Sequence, residues 1–332
     1  MFISLVFTGL IVGRVAVTDG MDPMAVNKLV TAGHEVIERH YSEDELLEGA
    51  LSSFDAVVVR SATKVTADVI ANSANLTFIG RAGVGIDNID LDSATDSGIV
   101  VCNTPQSSTN SVVELTIGHL LASCRHIARG DRGLRAGLWE KKQLKGSELS
   151  GKRLGLVGFG RIAQGVATVA KAMGMECHAY DPYLPANIAK KFDCKMHDDV
   201  DSLFRMCTHV SIHCNLTDET HHLVNRERIA MMSTSAPNGV SCGNHVINCA
   251  RGGIVDEVAV LEALESGDLT SAALDVFEIE PANDNPILQH PNFHGSPHIG
   301  AATLEAQARI GEEMVTLLLD HFEGKRPHSA LN

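Results

Sequence analysis

The stretch from Lys152 to Asp181, KRLGLVGFGRIAQGVATVAKAMGMECHAYD, constrains the fold of this chain more than any other. Its apolar run Leu154–Val157, with charge before it and glycine after, reads as a strand buried on both faces. Gly158-Phe159-Gly160-Arg161-Ile162-Ala163 follows, and Val166, Ala167, Val169, Ala170 and Met173 then recur at helical spacing. Cys177–Tyr180 reads as a second strand that ends on Asp181. Strand, glycine turn, helix, strand and acid in this order make the dinucleotide fingerprint in the context it requires. Gly158 permits the tight turn, and Gly160 lets a pyrophosphate approach the backbone. The helix from Arg161 offers N–H groups and a positive dipole end to that anion. Ala163, in place of the usual third glycine, is small enough for close helix–strand packing. Asp181 can accept hydrogen bonds from both ribose hydroxyls and would repel an added phosphate, so the expected cofactor is NAD rather than NADP.

At 332 residues the chain can hold about two domains, each with its own core. A net charge of −14 argues against nucleic acid or an anionic membrane as partner, while a local basic pocket could still hold a small anion. Eight scattered cysteines without a CxxC pair fit reduced thiols and a cytoplasmic protein. Phe2–Val12 is apolar, but it lacks a basic flank and is too short to span a bilayer. Residues 1–13 are therefore read as an apolar leader.

From Arg14 onward, β-rich runs at Val15–Thr18, Glu35–Glu38, Ala56–Arg60, Thr77–Arg81 and Ile99–Asn103 alternate with helical patterns at Met24–Ala32, Glu43–Ala50 and Thr66–Ser73. Such βα alternation implies a parallel, doubly wound sheet whose ligands sit at the carboxyl ends of the strands. Polar groups stand there in Arg60-Ser61, Arg81-Ala82-Gly83-Val84-Gly85 and Asn103-Thr104-Pro105; Arg60 and Arg81 could each pair with a carboxylate or phosphate, or merely cap a solvated strand end. Asn110–Ile127 reads as a long helix linking two domains. Gly130–Gly146, with the only tryptophan, Trp139, reads as irregular and as a subunit contact. Ser233–Gly243 is a loop by composition. Strands follow at Val210–His213, His245–Cys249 and Ala272–Val276, helices at Arg226–Met232 and Glu257–Ser266, and a last helix at Thr303–Phe322.

Three residues stand near strand ends of the second half: Arg251 in Asn248–Gly253, Glu280 after Asp275-Val276-Phe277, and His298 between Pro297 and Ile299. Together they are the groups needed to oxidise an alcohol beside a carboxylate. A neutral His298 takes the hydroxyl proton, Glu280 accepts the other imidazole N–H, and Arg251 holds the carboxylate and polarises the forming carbonyl. A strand-capping arginine, a solvated glutamate and a core histidine are the bland alternatives, and sixteen histidines give the last of these weight.

The fingerprint, NCARGGIVDE (Asn248–Glu257), ALDVFEIEP (Ala273–Pro281) and PHIGAAT (Pro297–Thr303) together resemble the D-2-hydroxyacid dehydrogenases. VVVRSATKVTADVI (Val57–Ile70), GRAGVGIDNID (Gly80–Asp90) and NTP (Asn103–Pro105) narrow the resemblance to the D-3-phosphoglycerate dehydrogenases. That resemblance implies a flavodoxin-like substrate domain, residues 14–105 plus 302–332, and a Rossmann NAD-binding domain, residues 106–301, with the active site in the cleft between them. It also implies NAD-dependent oxidation of D-3-phosphoglycerate, the first step of serine synthesis, by a homodimer or tetramer. The family's catalytic residues match Arg251, Glu280 and His298. Its cofactor contacts match Val84, Gly158, Gly160, Arg161, Ile162, Asp181, Cys214, Cys249, Ala250, Arg251, Asp275, His298, Gly300 and Ala301. Its substrate contacts match Arg60, Ser61, Arg81, Gly83 and Asn103.

Departures from the family pattern fall at Val84, a frequent threonine; at Cys214-Asn215, for Thr-Pro; at Gln106-Ser107-Ser108, for Asn-Gly-Asn; and in the long Ser233–Gly243 loop. Because the sequence stops near Asn332, no feedback inhibition by serine through an added domain is expected. His290, His294 and His298 are spaced by four, but Pro291, Gly295 and Pro297 forbid the helix a metal site would need, so no metal is assigned. Two other readings remain. One is a hydroxypyruvate or glyoxylate reductase on the same scaffold; the other is an NAD-sensing interaction protein resembling the C-terminal-binding corepressors.

Overall fold

A computed structural model describes residues 12–332, so most of the apolar leader lies outside the described residues. The chain divides into two compact units, residues 1–108 with 301–332 and residues 109–300.

The first unit begins with β1 (Arg14–Val17), α1 (Pro23–Thr31), β2 (Glu35–Glu38), α2 (Glu43–Leu47), β3 (Ala56–Val59), α3 (Ala67–Ala71), β4 (Phe78–Arg81), α4 (Leu91–Asp96) and β5 (Val100–Asn103). All neighbouring strands are parallel, in the order β2-β1-β3-β4-β5. This is the flavodoxin-like order, whose switch point lies between β1 and β3. The central strands are apolar throughout because helices cover both faces. The short helices start at side-chain caps: Asp22, Ser42, Thr66 and Asp90 each accept a backbone N–H of the first turn. The composition of Leu91–Asp96 suggested no element, and the Asp90 cap is the signal that marks it.

The second unit follows with α5 (Thr109–Arg125), α6 (Ile127–Arg135), β6 (Arg153–Val157), α7 (Arg161–Ala172), β7 (Glu176–Tyr180), α8 (Ala186–Lys191), β8 (Lys195–Met196), α9 (Val200–Met206), β9 (His209–Ile212), α10 (Arg226–Met231), β10 (His245–Asn248), α11 (Glu257–Ser266), β11 (Ser271–Leu274) and β12 (Phe293–Gly295). Its parallel sheet runs β12-β11-β10-β9-β6-β7-β8, the Rossmann order, with its switch point between β6 and β9. One apolar cluster lies around Phe204, Val210, Val246 and Leu274, the other around Leu120, Leu156, Phe159 and Val166.

One stretch differs from its sequence reading, and one read as a loop carries added pairing. The first six residues of the segment read as irregular, Gly130–Gly146, lie in α6, although Gly130 and Gly133 disfavour a helix. Tertiary bonds hold it there: Arg132 donates to the carbonyls of Pro291 and Phe293, and Arg129 to Asn292 and Glu140. The loop Ser233–Gly243 doubles back, with an antiparallel bridge between Ser235 and Ser241 and Cys242 buried beneath it.

The chain returns to the first unit with α12 (Leu304–Phe322). Thr303 caps it, and Ile310, Met314, Leu317, Leu318 and Phe322 pack with Val15, Val58, Phe78 and Leu29.

Candidate active site

In the second unit, the cofactor cradle is built where β6 runs into α7. Gly158 has φ 81°, and a Cβ there would lie 2.6 Å from the Cys214 nitrogen, so the turn sits directly on the backbone after β9. Gly160 is the N-cap of α7 and makes no side-chain cap; a Cβ on it would meet no atom within 4 Å. The first N–H groups of the helix thus face open space, with exposed Arg161 beside them and half-buried Ile162 against the core. That is the donor set a pyrophosphate requires. Asp181 accepts the N–H of Phe159 at 2.9 Å and of Tyr183 at 3.0 Å, which fixes the carboxylate at the end of β7. Each oxygen keeps a lone pair for a ribose hydroxyl. Cys214 and Cys249 are packed so that burial raises both thiols, to about 11 and about 12, and they act as apolar walls.

Asp275 follows β11, and its carboxylate is fully buried. Oδ1 accepts from Ser296 Oγ at 2.6 Å and from the Ile299 N–H at 2.8 Å; Oδ2 accepts from the Gly300 N–H at 2.8 Å. The His298 N–H donates to the Asp275 carbonyl at 2.8 Å. These bonds hold His298 at φ 53°, a conformation that non-glycine residues seldom adopt. The acid is thus an anchor for the His298–Gly300 turn. Ser296 and His119, 2.9 Å apart, extend the network, and neither was singled out from sequence.

His298 Nδ1 lies 2.8 Å from Glu280 Oε2. Burial raises the Glu280 carboxyl, but His298, the Phe277 N–H and Arg251 together outweigh it and hold Glu280 below the ordinary glutamate range. An ionised carboxylate only accepts, so Nδ1 carries the proton and Nε2 presents its lone pair. Arg251 lies on the loop after β10. Asn248 shapes that loop, accepting the Ala250 N–H at 2.9 Å and donating Nδ2 to the Arg251 carbonyl at 2.8 Å. Arg251 Nη1 donates to the Ala250 carbonyl at 2.6 Å. A Cβ at Gly252 would lie 1.8 Å from the Phe277 carbonyl oxygen, so only glycine lets the Arg251 loop reach the segment carrying Glu280. The three residues expected from sequence are therefore brought together within one unit.

In the first unit, Arg60 and Ser61 lie just past β3, Arg81 at the end of β4 with Gly83 and Val84 behind it, and Asn103 at the end of β5. Ala301 begins the return into this unit. Arg60 is half-buried and Ser61 exposed. Arg81 is only 8% exposed, and its Nη1 donates to the Ala82 carbonyl at 3.0 Å while its guanidinium lies against Gly83. Arg81 thus braces its own turn, which leaves Arg60 as the more accessible cation. Asn103 Nδ2 donates to the Val84 carbonyl at 2.7 Å and ties β5 to that turn. Sequence reasoning missed Asp19 and Asn88. Asp19 accepts the N–H groups of Arg60 and Thr63 and the Thr63 hydroxyl; Asn88 donates to the carbonyls of Arg60 and Thr63.

Residues 117–300 match the model of the D-isomer specific 2-hydroxyacid dehydrogenase, NAD binding domain. The chain belongs to this family. The matched span is its NAD-binding unit, and the fold and the α7 cradle agree with that assignment. It is similar to the D-3-phosphoglycerate dehydrogenase of Methanocaldococcus jannaschii, 42% identical over 319 residues and 96% of this chain. It spans only 59% of that relative's length. It is also similar to the hydroxypyruvate reductase of Thermotoga maritima, 46% identical over 307 residues, covering 91% of this chain and 96% of the relative. Among solved structures, the TT0316 protein from Thermus thermophilus superposes with a TM-score of 0.85 at 33% identity, covering 96% of this chain and all of that one. Among the described residues no helix is long and apolar enough to cross a membrane.

Proposed function

We propose that this dehydrogenase oxidises D-3-phosphoglycerate at C2 to 3-phosphohydroxypyruvate with NAD, the first step toward serine. The observation that carries the reading is the His298–Glu280 pair at 2.8 Å, with Arg251 beside it on a loop of the NAD-binding unit. When bound, NAD supplies the acceptor for the two electrons and hydrogen leaving C2. Residues of the Gly158–Ile162 turn, Asp181, Cys214, Cys249, Ala250, Asp275 and the turn through Gly300 would hold it, and Val84 and Ala301 are further candidates. His298 Nε2 takes the C2 hydroxyl proton, and the imidazolium so formed is stabilised by Glu280. Arg251 binds the substrate carboxylate and draws electron density toward the forming carbonyl oxygen. Arg60, with Ser61, Gly83 and Asn103 shaping the loops around it, takes the phosphate; Arg81 supports the same surface from within. In the reverse direction the imidazolium is the general acid. Exposed Leu134, Leu138 and Trp139, the last 82% exposed, support a homo-oligomer.

Formation of NADH from NAD and D-3-phosphoglycerate tests the reading. Turnover is expected, and its absence with hydroxypyruvate reduction intact would overturn the substrate assignment. That outcome defines the second reading, a hydroxypyruvate reductase. It is favoured by the 46% identity to the Thermotoga maritima hydroxypyruvate reductase, against 42% to the phosphoglycerate dehydrogenase above.

A further inference from the structure

The NAD-binding unit carries a second polar cluster, at the edge of the sheet opposite His298. His209 and His245 are the first residues of β9 and β10 and lie directly across from one another in register. Cys124 is in the last turn of α5. Exposures are 2% for Cys124, 0% for His209 and 2% for His245, so all three have left water. The Cys124 sulfur and one ring nitrogen of each histidine all lie within 4.8 Å of one another. Sγ is 3.2 Å from His209 Nε2, and His245 Nε2 is 3.1 Å from the carbonyl oxygen of Cys242. Tetrahedral zinc with ordinary Zn–S and Zn–N lengths separates its ligand atoms by roughly 3.3–3.6 Å. Two edges of such a tetrahedron are therefore already close to length.

The outer ring of partners fits too. His209 Nδ1 is 2.8 Å from Thr208 Oγ1, and His245 Nδ1 is 2.7 Å from Ser271 Oγ. Thr208 Oγ1, accepting the His209 Nδ1 proton, leaves that Nε2 lone pair for an ion; His245 Nε2–H donates to the Cys242 carbonyl, so its proton has to move to Nδ1, which faces Ser271, when Nε2 ligates. Burial pushes His245 down to about 4 and His209 well below its ordinary value, the direction that favours the neutral imidazole. Burial raises Cys124 to about 12, while Ser147, Lys152 and Arg125 act to favour its thiolate. One thiolate and two imidazoles are a donor set for zinc rather than for a hard cation.

We propose that Cys124, His209 and His245 form a structural zinc site, with the Cys242 carbonyl oxygen at the fourth corner. Binding breaks the S–H bond and forms Zn–S and two Zn–N bonds, so each Zn²⁺ taken up releases one proton. The ion ties α5 to two central strands and leaves the catalytic edge untouched. The residue numbers 124, 209 and 245 follow no spacing motif, which is why reading the sequence assigned no metal. The cluster exists only once the sheet places β9 beside β10.

The test is a titration of the chelator-stripped full chain with Co²⁺, followed by Zn²⁺. Expected are one Co²⁺ per chain, a thiolate-to-cobalt charge-transfer band, intense tetrahedral visible bands, one proton released, and displacement by Zn²⁺. Cys124→Ser abolishes the charge-transfer band, and His245→Gln abolishes stoichiometric binding. Zinc raises the thermal midpoint of the stripped chain by on the order of 5–10 °C. NADH binding by the stripped chain and by each variant reports that the fold survives. Should a variant fail to fold, proton release and the single-thiolate band of the wild type still decide. No stoichiometric Co²⁺ binding, or a charge-transfer band that persists in Cys124→Ser, overturns the site and leaves a hydrogen-bonded cluster without an ion.

Discussion

The two units solve the same local problem with the same device and put it to different use. In each, a carboxylate just past a strand reaches sideways to the loop that follows a neighbouring strand and collects its N–H groups. Asp19, after β1, fixes the Arg60–Thr63 loop past β3; Asp275, after β11, fixes the His298–Gly300 turn past β12. Each also has a histidine nearby: His40 Nδ1 is 3.9 Å from Asp19 Oδ1, and His119 reaches Asp275 through Ser296. What differs is the group presented. The first unit displays a guanidinium whose charge does not change near neutrality. The second displays an imidazole with its own half-exposed acid, Glu280, and so can move a proton. The acid that locks backbone is buried, whereas the acid that pairs with the histidine stays partly exposed. The structure separates these tasks between Asp275 and Glu280, five residues apart.

This contrast can be broken most decisively at the titrating end. His298→Ala removes the base and should lower kcat by roughly 10²–10⁴-fold, with NADH affinity unchanged by fluorescence titration. A loss below tenfold would show that the proton goes elsewhere. Next come the two anchors. Asp275→Asn and Asp19→Asn each weaken charge-assisted bonds to buried N–H groups and should cost about 2–3 kcal/mol in urea unfolding. Asp275→Asn should also depress kcat, since His298 loses its support, while Asp19→Asn should act on KM alone. Equal kinetic effects from both would erase the distinction drawn between the units.

The presented guanidinium comes third. Arg60→Ala should raise KM for D-3-phosphoglycerate by roughly 10–100-fold, the worth of one charge-assisted bond or slightly more, and leave KM for unphosphorylated D-glycerate nearly unchanged. A parallel rise for both substrates would remove the phosphate role. The smallest effect concerns pH. Glu280 titrates below its ordinary value, so its contribution to stability is complete above that value and is lost as pH falls through the folded-state pKa. The thermal midpoint difference between wild type and Glu280→Gln should therefore shrink once pH falls below the ordinary glutamate range, where the carboxylate is lost. A difference that goes on growing through that range would contradict the pairing.

Much of this was legible in the residues. The glycine turn and Asp181 fix the Rossmann half through local chemistry, and the β-rich runs before Asn103 fix the other sheet by period alone. Arg251, Glu280 and His298 were visible because each sits in a dense polar motif next to an apolar strand. Asp19 and Asn88 were not, since an isolated polar residue in a loop carries no period; its partners lie some forty residues away for Asp19. Arg81 shows the reverse limit. Its position at a strand end was legible, but its fold back onto the Ala82 carbonyl depends on the space Gly83 leaves open. The helix α6 escaped because arginine bonds to distant carbonyls override its glycines.

The first unit is assembled from both ends of the chain, and this bears on how the protein is made. One face of its sheet is covered by α12, through Ile310, Met314, Leu318 and Phe322. On the ribosome that helix emerges roughly 200 residues after β5, which at about 5–20 residues per second is on the order of 10–40 s. Throughout that interval Val15, Val58 and Phe78 lack their cover, while the strands of the NAD-binding unit emerge one after another and are complete at β12, just before α12. The nascent chain should therefore mature from its middle outward, with its opening segment in the care of chaperones until the closing one arrives.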